Sequence, residues 1–287
     1  MNRVETSIQA VAADRRAIPG LLAMWHLLSL DAPAVAAGWC WFLARAIHQA
    51  LPSAIPAATF LAVWLLYAAD RLLDARAGKR LEARHTFHWR HRRAFAIGMG
   101  AATALLVTLL RDLTLVQFRL YVTLGALLLA WFGLIHLHGN DKPETLPKEL
   151  APGAFFAAAV FLPILPAASP AAISVLLTAC LFGMVCSLNC LYIFAWEHDA
   201  HQQAHAHATT RMGIRWLTPL AVFCAAAPMA EIRFAPPELA PVLFAIALAA
   251  ALLLGLDRAH VHLDRTNLRA AADLALLTPL VVAPFFR

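Results

Sequence analysis

The sequence predicts an all-α integral membrane protein, and both its composition and the lengths of its apolar runs support this prediction. Of its 287 residues, 61% are hydrophobic and 14% are charged, whereas soluble domains average about 45–50% and about 25%. The mean hydropathy is +0.67. The apolar residues also form runs of roughly 20, the length that an α-helix needs to cross about 30 Å of hydrocarbon. We therefore expect a polytopic helical protein.

Nine apolar runs are long enough to be transmembrane helices. They lie at residues 32–50, 54–72, 93–110, 115–137, 150–168, 171–195, 213–230, 238–256 and 270–286. Asp31 is placed to cap the first run, and Pro33 suits its opening turn. We expect residues 1–31 to form a cytoplasmic N-terminus with a short interfacial helix. A nine-helix transmembrane domain would then occupy residues 32–287.

The basic residues indicate the orientation of these runs, because short cytoplasmic loops hold the excess of lysine and arginine. With the N-terminus inside, 18 of the 23 basic residues fall in cytoplasmic segments. We expect a cytoplasmic N-terminus and an external C-terminus, and the short loops and many alanines suggest a bacterial inner membrane. The net charge of +6 follows from this bias and favours contact with anionic membrane lipids. It predicts no nucleic-acid binding, and no protein partner is predicted.

Two carboxylates stand where the second apolar run ends, in the stretch YAADRLLD at residues 67–74. Asp70 and Asp74 are four residues apart, so they share one helical face about one turn apart. Ionised side chains at the end of a transmembrane helix are costly unless they are paired, hydrated or bound to a cation. Two such carboxylates suit Mg²⁺, which commonly joins a carboxylate to substrate phosphates. Alternatively, both could pair with neighbouring basic side chains where the helix leaves the bilayer.

A second polar cluster closes the sixth run, in the stretch NCLYIFAWEHDAH at residues 189–201. Its polar members are Asn189, Tyr192, Glu197 and Asp199. Because both clusters end an apolar run on the predicted cytoplasmic side, they can face each other across a helical bundle. Between them they could hold a metal-bridged diphosphate. Three basic residues are available for the other phosphate oxygens: Arg80, Arg84 and Lys148.

The first cluster resembles a motif of the UbiA superfamily of intramembrane prenyltransferases. Those enzymes have nine transmembrane helices and two aspartate-rich motifs, at the cytoplasmic ends of the second and sixth helices. The first motif usually reads NDxxDxxxD, and the matching stretch here, LYAADRLLD, keeps Asp70, Arg71 and Asp74. Leu66 and Tyr67 stand where the family has Asn-Asp. The resemblance implies a UbiA-like bundle of nine helices.

The second cluster resembles the second family motif, which is roughly DxxYxxxDxxxD. Asn189 and Tyr192 match its opening, Trp196 and Glu197 fall near its central aspartate, and Asp199 falls near its end. Basic residues follow the first motif in the family, as they do here. A lysine typically opens the fifth helix of the family, and the stretch LPKELAPG has a lysine at that position.

The resemblance implies Mg²⁺-dependent transfer of a prenyl group from an isoprenyl diphosphate to a lipophilic acceptor, often an aromatic ring, within the membrane. The implied metal ligands are Asp70, Asp74, Asn189, Glu197 and Asp199. The implied diphosphate-binding residues are Arg71, Arg80, Arg84 and Lys148. Asp70 and Asp74 are expected to act in catalysis by holding the Mg²⁺ that neutralises the diphosphate. Lys148 and Arg84 are expected to stabilise the charge that develops as the C–O bond breaks. The substrate pocket is expected to include Tyr67, Tyr192 and Trp196.

Two other functions stay open on the sequence. A divergent UbiA-like protein that binds a lipid or quinone without turnover is consistent with the acids missing from the first motif. A histidine-rich metal protein, either a di-iron oxidase or a transporter, is suggested by HTFHWRH and HDAHQQAH, whose imidazoles are spaced like helical metal ligands. The absence of an HxxHH box argues against the oxidase. The position of these histidines outside the apolar runs argues against the transporter.

Overall fold

The computed structural model describes residues 20–76, 83–138, 149–165 and 172–286. Within these ranges all regular secondary structure is helical, and no strand occurs. The prediction of an all-α chain is confirmed for this part of the protein. Of the predicted site residues, Arg80 and Lys148 lie outside the described ranges.

The first two helices meet at a sharp bend. Helix α1 (Leu21–Leu27) and helix α2 (Asp31–Ala46) are inclined at 88° to each other. Ser29 in the link has a φ of 55°, in the left-handed region that residues other than glycine seldom adopt. With 16 residues, α2 is shorter than the roughly 20 residues needed to cross the hydrocarbon core. With an 88° bend, the pair could form either one broken span or a re-entrant loop.

The next four helices form the side of the molecule with the most exposed apolar surface. They are α3 (Ala54–Arg76), α4 (Ala83–Arg90), α5 (Arg92–Leu109) and α6 (Leu115–His138). Helix α4 is short and polar, whereas α3, α5 with its 3₁₀ extension, and α6 are each long and apolar enough to cross a membrane. Of the most apolar 18-residue segment of each helix, only 11% is buried within the protein in α5 and none in α6. An apolar helix with so little protein contact is suited to face lipid chains.

The following pair of helices packs at unusually close range. Helix α7 (Ala151–Phe161) lies against α8 (Ala172–Glu197). A Cβ atom placed on Gly153 of α7 would lie 2.1 Å from Oγ of Ser187 and 2.4 Å from the carbonyl oxygen of Gly183. Small residues let membrane helices approach in this way. The close contact fixes the position of α7, which contributes Pro152, Phe155, Phe156 and Ala159 to the cavity described below.

The C-terminal third contains the most deeply buried of the long candidate spans. Its elements are α9 (Ala200–Ala204), α10 (Ala208–Arg215), α11 (Leu217–Glu231), α12 (Ala240–Ala259), α13 (Arg265–Ala275) and α14 (Thr278–Val282). Just over half of the most apolar 18-residue segment around α12 is buried within the protein, a larger share than in any other long candidate span. Beside it, Trp39 of α2 packs on Phe182 of α8 with ring centroids 4.5 Å apart and donates its indole N–H to the carbonyl of Leu276 at 2.7 Å.

The described helices include five that could cross a membrane singly: α3, α5, α6, α8 and α12. The count rises to eight if the bent pairs α1–α2, α10–α11 and α13–α14 each form one broken span. Helix α7, which falls in the predicted run 150–168, has only 11 residues and is not among them. Within the described residues, the structure therefore supports a polytopic helical membrane protein with five to eight candidate spans, and the predicted count of nine is not confirmed.

Candidate functional site

A cavity of about 630 Å³ opens among α1, α2, α3, α4, α6, α7, α8 and α13. Along α3 its lining changes from Val63 and Leu66 to Asp70 and Asp74. Because a helix rises 1.5 Å per residue, the cavity follows α3 for roughly 16 Å. It is therefore apolar toward the middle of α3 and charged toward its C-terminal end.

The apolar part of the wall is rich in aromatic side chains. Five aromatic residues, Trp131, Phe132, Phe155, Phe156 and Phe194, line it together with the aliphatic Val63. They come from α3, α6, α7 and α8, so four helices enclose this part of the cavity. Such a wall suits an extended hydrocarbon or a flat aromatic group.

The acids of α3 lie at the charged end, each beside a basic group. The guanidinium of Arg71 donates from Nη1 to Oδ2 of Asp70 at 2.9 Å, and it also lies over the ring of Tyr67 at 5.8 Å from the centroid. Nε2 of His85 lies 3.8 Å from Oδ2 of Asp74. The four-residue spacing brings both carboxylates to the cavity, as expected for one helical face.

Helix α13 meets α8 at two polar contacts beside the same cavity. Arg269 donates from Nη1 to Oε1 of Glu197 at 2.6 Å, and Asn189 donates from Nδ2 to Oδ1 of Asp273 at 3.0 Å. Arg269 and Asp273 are four residues apart on α13, so both project from one face of that helix. All four side chains line the cavity. The end of α8 is thereby tied to α13.

The cavity brings together most of the predicted site residues that the structure describes. They are Tyr67, Asp70, Arg71, Asp74, Arg84, Asn189 and Glu197. These residues come from α3, α4 and α8. The two sequence clusters predict this arrangement, in which α3 and α8 both contribute polar residues to one cavity.

Three predicted site residues do not line the cavity. Tyr192 is fully buried in the hydrophobic core, and the indole of Trp196 donates to Oδ1 of Asp257 at 2.8 Å. Asp199 is the N-cap of α9, where its carboxylate accepts the backbone N–H of Gln202 at 2.8 Å in a capping box. The structure gives each of these side chains a packing or capping contact elsewhere.

The cavity also contains a polar cluster that the sequence analysis missed. Nδ1 of His26 lies 2.5 Å from Oδ2 of Asp31, and possible metal-ligand atoms of His26, Asp31 and Asp273 all lie within 4.8 Å of one another. Asp31 was interpreted only as a helix cap. Asp273 could have indicated this cluster from the sequence, because it is an acid inside the apolar run 270–286. Ionisable residues within a membrane span are typical of functional sites.

The histidines of HTFHWRH do not gather into a metal site. His88 is fully buried, donates from Nδ1 to the carbonyl of Arg84 at 2.9 Å and stacks on Phe95 at 4.0 Å. Burial lowers the pKa of His88 to about 4, and the positive charges nearby act in the same direction. Within the described residues, a group of three or more candidate metal ligands occurs at one place, the cluster of His26, Asp31 and Asp273.

The charges around the cavity favour a cation. Among the described residues, six carboxyl groups line it, at Asp31, Asp70, Asp74, Glu149, Glu197 and Asp273. Three arginines line it as well, at positions 71, 84 and 269. Acids in excess of fixed cations at a partly buried site are stabilised by a bound metal ion. The site can therefore combine divalent cations with an anionic group and an apolar chain.

Comparisons of this chain with protein-family models, with curated proteins and with solved structures find no match. The fold and the cavity define a helical membrane protein with an amphipathic cavity between its helices. Its function is therefore inferred from the chemistry of that cavity.

Proposed function

We propose that the protein transfers a prenyl group from an isoprenyl diphosphate to a lipophilic, aromatic acceptor, as a divergent UbiA-like enzyme. One observation carries this proposal. A single cavity joins Asp70 and Asp74 of α3 to Glu197 of α8 and continues into an apolar, aromatic wall. An isoprenyl diphosphate has the same division into an anionic head and an apolar tail.

The acids at the charged end have the donor chemistry that Mg²⁺ prefers. Asp70, Asp74 and Glu197 offer carboxylate oxygens, and Mg²⁺ usually takes one or two of these together with water and substrate phosphates. Bound Mg²⁺ would neutralise the diphosphate and make it a better leaving group. Arg71 and Arg84 line the same cavity and would donate hydrogen bonds to the remaining phosphate oxygens. Lys148 and Arg80 remain part of the proposed diphosphate site.

The aromatic wall would hold the prenyl chain and protect the reacting carbon from water. The cavity volume of about 630 Å³ lies within the 300–1,000 Å³ range of small-molecule sites. Departure of the diphosphate leaves an allylic cation, and the faces of Trp131, Phe132 and Phe156 would stabilise that charge by cation–π contact. The acceptor would then attack the cation from within the membrane and lose a proton, which leaves the prenylated acceptor and pyrophosphate as products.

The proposal extends to the placement of the protein. In a bacterial inner membrane with the N-terminus in the cytoplasm, the charged end of the cavity would face the cytoplasm. Soluble isoprenyl diphosphate and Mg²⁺ would enter from that side, while the lipophilic acceptor would reach the cavity through the bilayer. This placement rests on the excess of basic residues in the predicted inner segments.

Ligand-induced stabilisation of the detergent-purified protein tests the proposal. Geranylgeranyl diphosphate at a hundredfold its Kd should stabilise the protein by about 2.7 kcal/mol in Mg²⁺, and not in EDTA. Asp70→Asn and Asp74→Asn should lose this stabilisation. Asp199→Asn is the matched control, because Asp199 lies outside the cavity and asparagine also caps helices well. No stabilisation of the wild-type protein in Mg²⁺ would contradict the proposal.

A second candidate function is binding of a lipid or quinone without turnover. It is favoured by the ion pairs of the site, since Asp70 and Glu197 each contact an arginine and need no metal to balance their charge. A binding protein should be stabilised by the prenyl lipid in EDTA as well as in Mg²⁺. It should also release no pyrophosphate when the diphosphate and an aromatic acceptor are supplied together.

A further inference from the structure

Three polar side chains from separate helices converge on one side of the cavity. His26 lies at the end of α1, Asp31 begins α2 and Asp273 lies in α13. One imidazole nitrogen and one oxygen from each carboxyl group lie within 4.8 Å of one another. Two ligands of one metal ion lie at most about 4.4 Å apart, because each lies about 2.0–2.2 Å from it, so these side chains would close slightly around a bound ion.

The bend between α1 and α2 builds half of this cluster. His26 and Asp31 are five residues apart, and the 88° turn at Ser29 folds one against the other. Ser29 is buried, and its positive φ of 55° is a backbone conformation that residues other than glycine seldom adopt. Strained backbone of this kind persists where the surrounding structure enforces it, and it is common at functional sites.

Burial makes the cluster costly when both of its acids are ionised. His26 is 7% exposed and Asp31 is 5% exposed, and the carboxyl group of Asp273 lies beside that of Asp31. Two acids that share a buried site repel each other when both are ionised. One imidazole can offset at most one of the two negative charges, whereas a divalent cation offsets both.

Asn189 provides an independent indication that a ligand belongs here. Its side chain is 5% exposed, and its Oδ1 is buried without a hydrogen-bond partner. A buried amide oxygen without a partner costs free energy. The amide nitrogen of the same group donates to Asp273 at 3.0 Å, so the oxygen also lies next to the cluster. A cation beside Asp273 would give that oxygen a partner.

We propose that His26, Asp31, Asp273 and Asn189 form a binding site for one divalent transition-metal ion of the Zn²⁺ or Mn²⁺ class. This site is distinct from the magnesium site proposed at Asp70 and Asp74. The imidazole nitrogen decides the class, because imidazole suits transition metals whereas Mg²⁺ takes oxygen ligands. The metal would join the bend between α1 and α2 to α8 and α13, and so brace that side of the cavity.

Metal binding by the full-length protein in detergent tests the inference. Chelator-treated protein is dialysed against Mn²⁺ in the presence of excess Mg²⁺, and bound Mn²⁺ is measured by electron paramagnetic resonance. We expect one equivalent in the wild-type protein. His26→Gln and Asp273→Asn should each weaken Mn²⁺ binding at least about tenfold. His198→Gln is the matched control, since His198 lines the same cavity outside the cluster.

Two further measurements keep the inference separate from the proposed function and from misfolding. Asp70→Asn/Asp74→Asn should keep its Mn²⁺ even if it no longer binds a diphosphate. In the wild-type protein, electron spin echo modulation should show a coordinated imidazole nitrogen, which needs no variant to fold. Absence of bound Mn²⁺, binding that survives in folded His26→Gln, or a spectrum without nitrogen coupling would each overturn the inference.

Discussion

Arg269 of α13 and Glu197 at the end of α8 form an ion pair with 2.6 Å between Nη1 and Oε1. Each side chain is 17% exposed, so the pair is largely shielded from water. Hydrogen bonds that involve a charged group contribute about 1.5–3 kcal/mol. The pair also sets the position of the one acid of α8 that the proposed magnesium site uses. Its loss should therefore affect both stability and ligand binding.

Replacing either partner should destabilise the protein, and replacing both should cost less than the sum. Arg269→Gln and Glu197→Gln should each lower the free energy of unfolding by about 1.5–3 kcal/mol. A double-mutant cycle from denaturant unfolding in detergent measures the coupling between them. Arg265→Gln, an exposed site on the same helix, should change stability by less than about 0.5 kcal/mol. Strictly additive effects would show that the two side chains do not interact in solution.

The close approach of α7 and α8 gives a second prediction. Gly153→Ala would force its Cβ against Oγ of Ser187 and the backbone of Gly183, and overpacking typically costs about 1–3 kcal/mol. We expect the upper end of that range, because backbone cannot rotate away as a side chain can. Size-exclusion chromatography of heated samples measures the midpoint of thermal unfolding, which should be lower in Gly153→Ala than in the wild-type protein.

Gly125→Ala is the matched control for this substitution. Gly125 lies in α6, and nothing lies within 4 Å of a Cβ placed there. Alanine is the better helix former by about 0.5–1 kcal/mol, so this variant should be unchanged or slightly more stable. Equal stability of Gly153→Ala and Gly125→Ala would contradict the helix contact described here.

The long apolar helices could be predicted because the signal for them is local. The runs 54–72 and 171–195 correspond to α3 and α8, which extend a few residues further at their C-terminal ends. The common face of Asp70 and Asp74 followed in the same way from their spacing. These features depend on residues within a few turns of one another, which the sequence displays directly.

The bends and the contacts between distant helices could not be predicted. Asp31 and Pro33 predict that a new helix begins here, but the residues around Ser29 do not indicate the 88° turn that brings His26 to Asp31. The pairing of Asn189 with Asp273 joins residues 84 positions apart and depends on how α13 packs on α8. Trp196, which was expected in the substrate pocket, instead faces Asp257 because α12 packs on that side of α8.

The aromatic wall predicts how the preference for prenyl chain length should change when the wall is altered. Trp131→Ala removes a large side chain from the wall and should make room for a longer prenyl chain. Burying two more CH₂ groups at about 0.8 kcal/mol each would shift the preference toward the longer diphosphate by about tenfold. Competition between farnesyl and geranylgeranyl diphosphate in the stabilisation assay measures this ratio.

Trp196→Phe is the control for that experiment. Its indole contacts Asp257 outside the cavity, so the variant should lose some stability and keep the wild-type chain-length ratio. A ratio that changes in Trp196→Phe and stays constant in Trp131→Ala would place the prenyl chain elsewhere in the protein.

His88 should make the protein sensitive to mild acid. It lies in α4, outside the candidate spans, and burial lowers its pKa from 6.5 to about 4, with Arg71, Arg84 and His26 adding to the effect. The unfolded chain therefore binds a proton at this residue more readily than the folded chain does. By linkage, the stability that neutral His88 provides is complete above about pH 6.5. It falls as the pH decreases toward 4, where the folded protein also becomes protonated.

Thermal unfolding between pH 7 and pH 4.5 tests whether the stability of the protein falls as the pH decreases. The unfolding midpoint of the wild-type protein should fall more steeply than that of His88→Gln, which has no imidazole to titrate even if it is less stable at pH 7. His91→Gln is the control, because His91 lies one turn away on the exposed side and should keep the wild-type slope. Parallel curves for wild type and His88→Gln would mean that protonation of His88 does not oppose folding in this range.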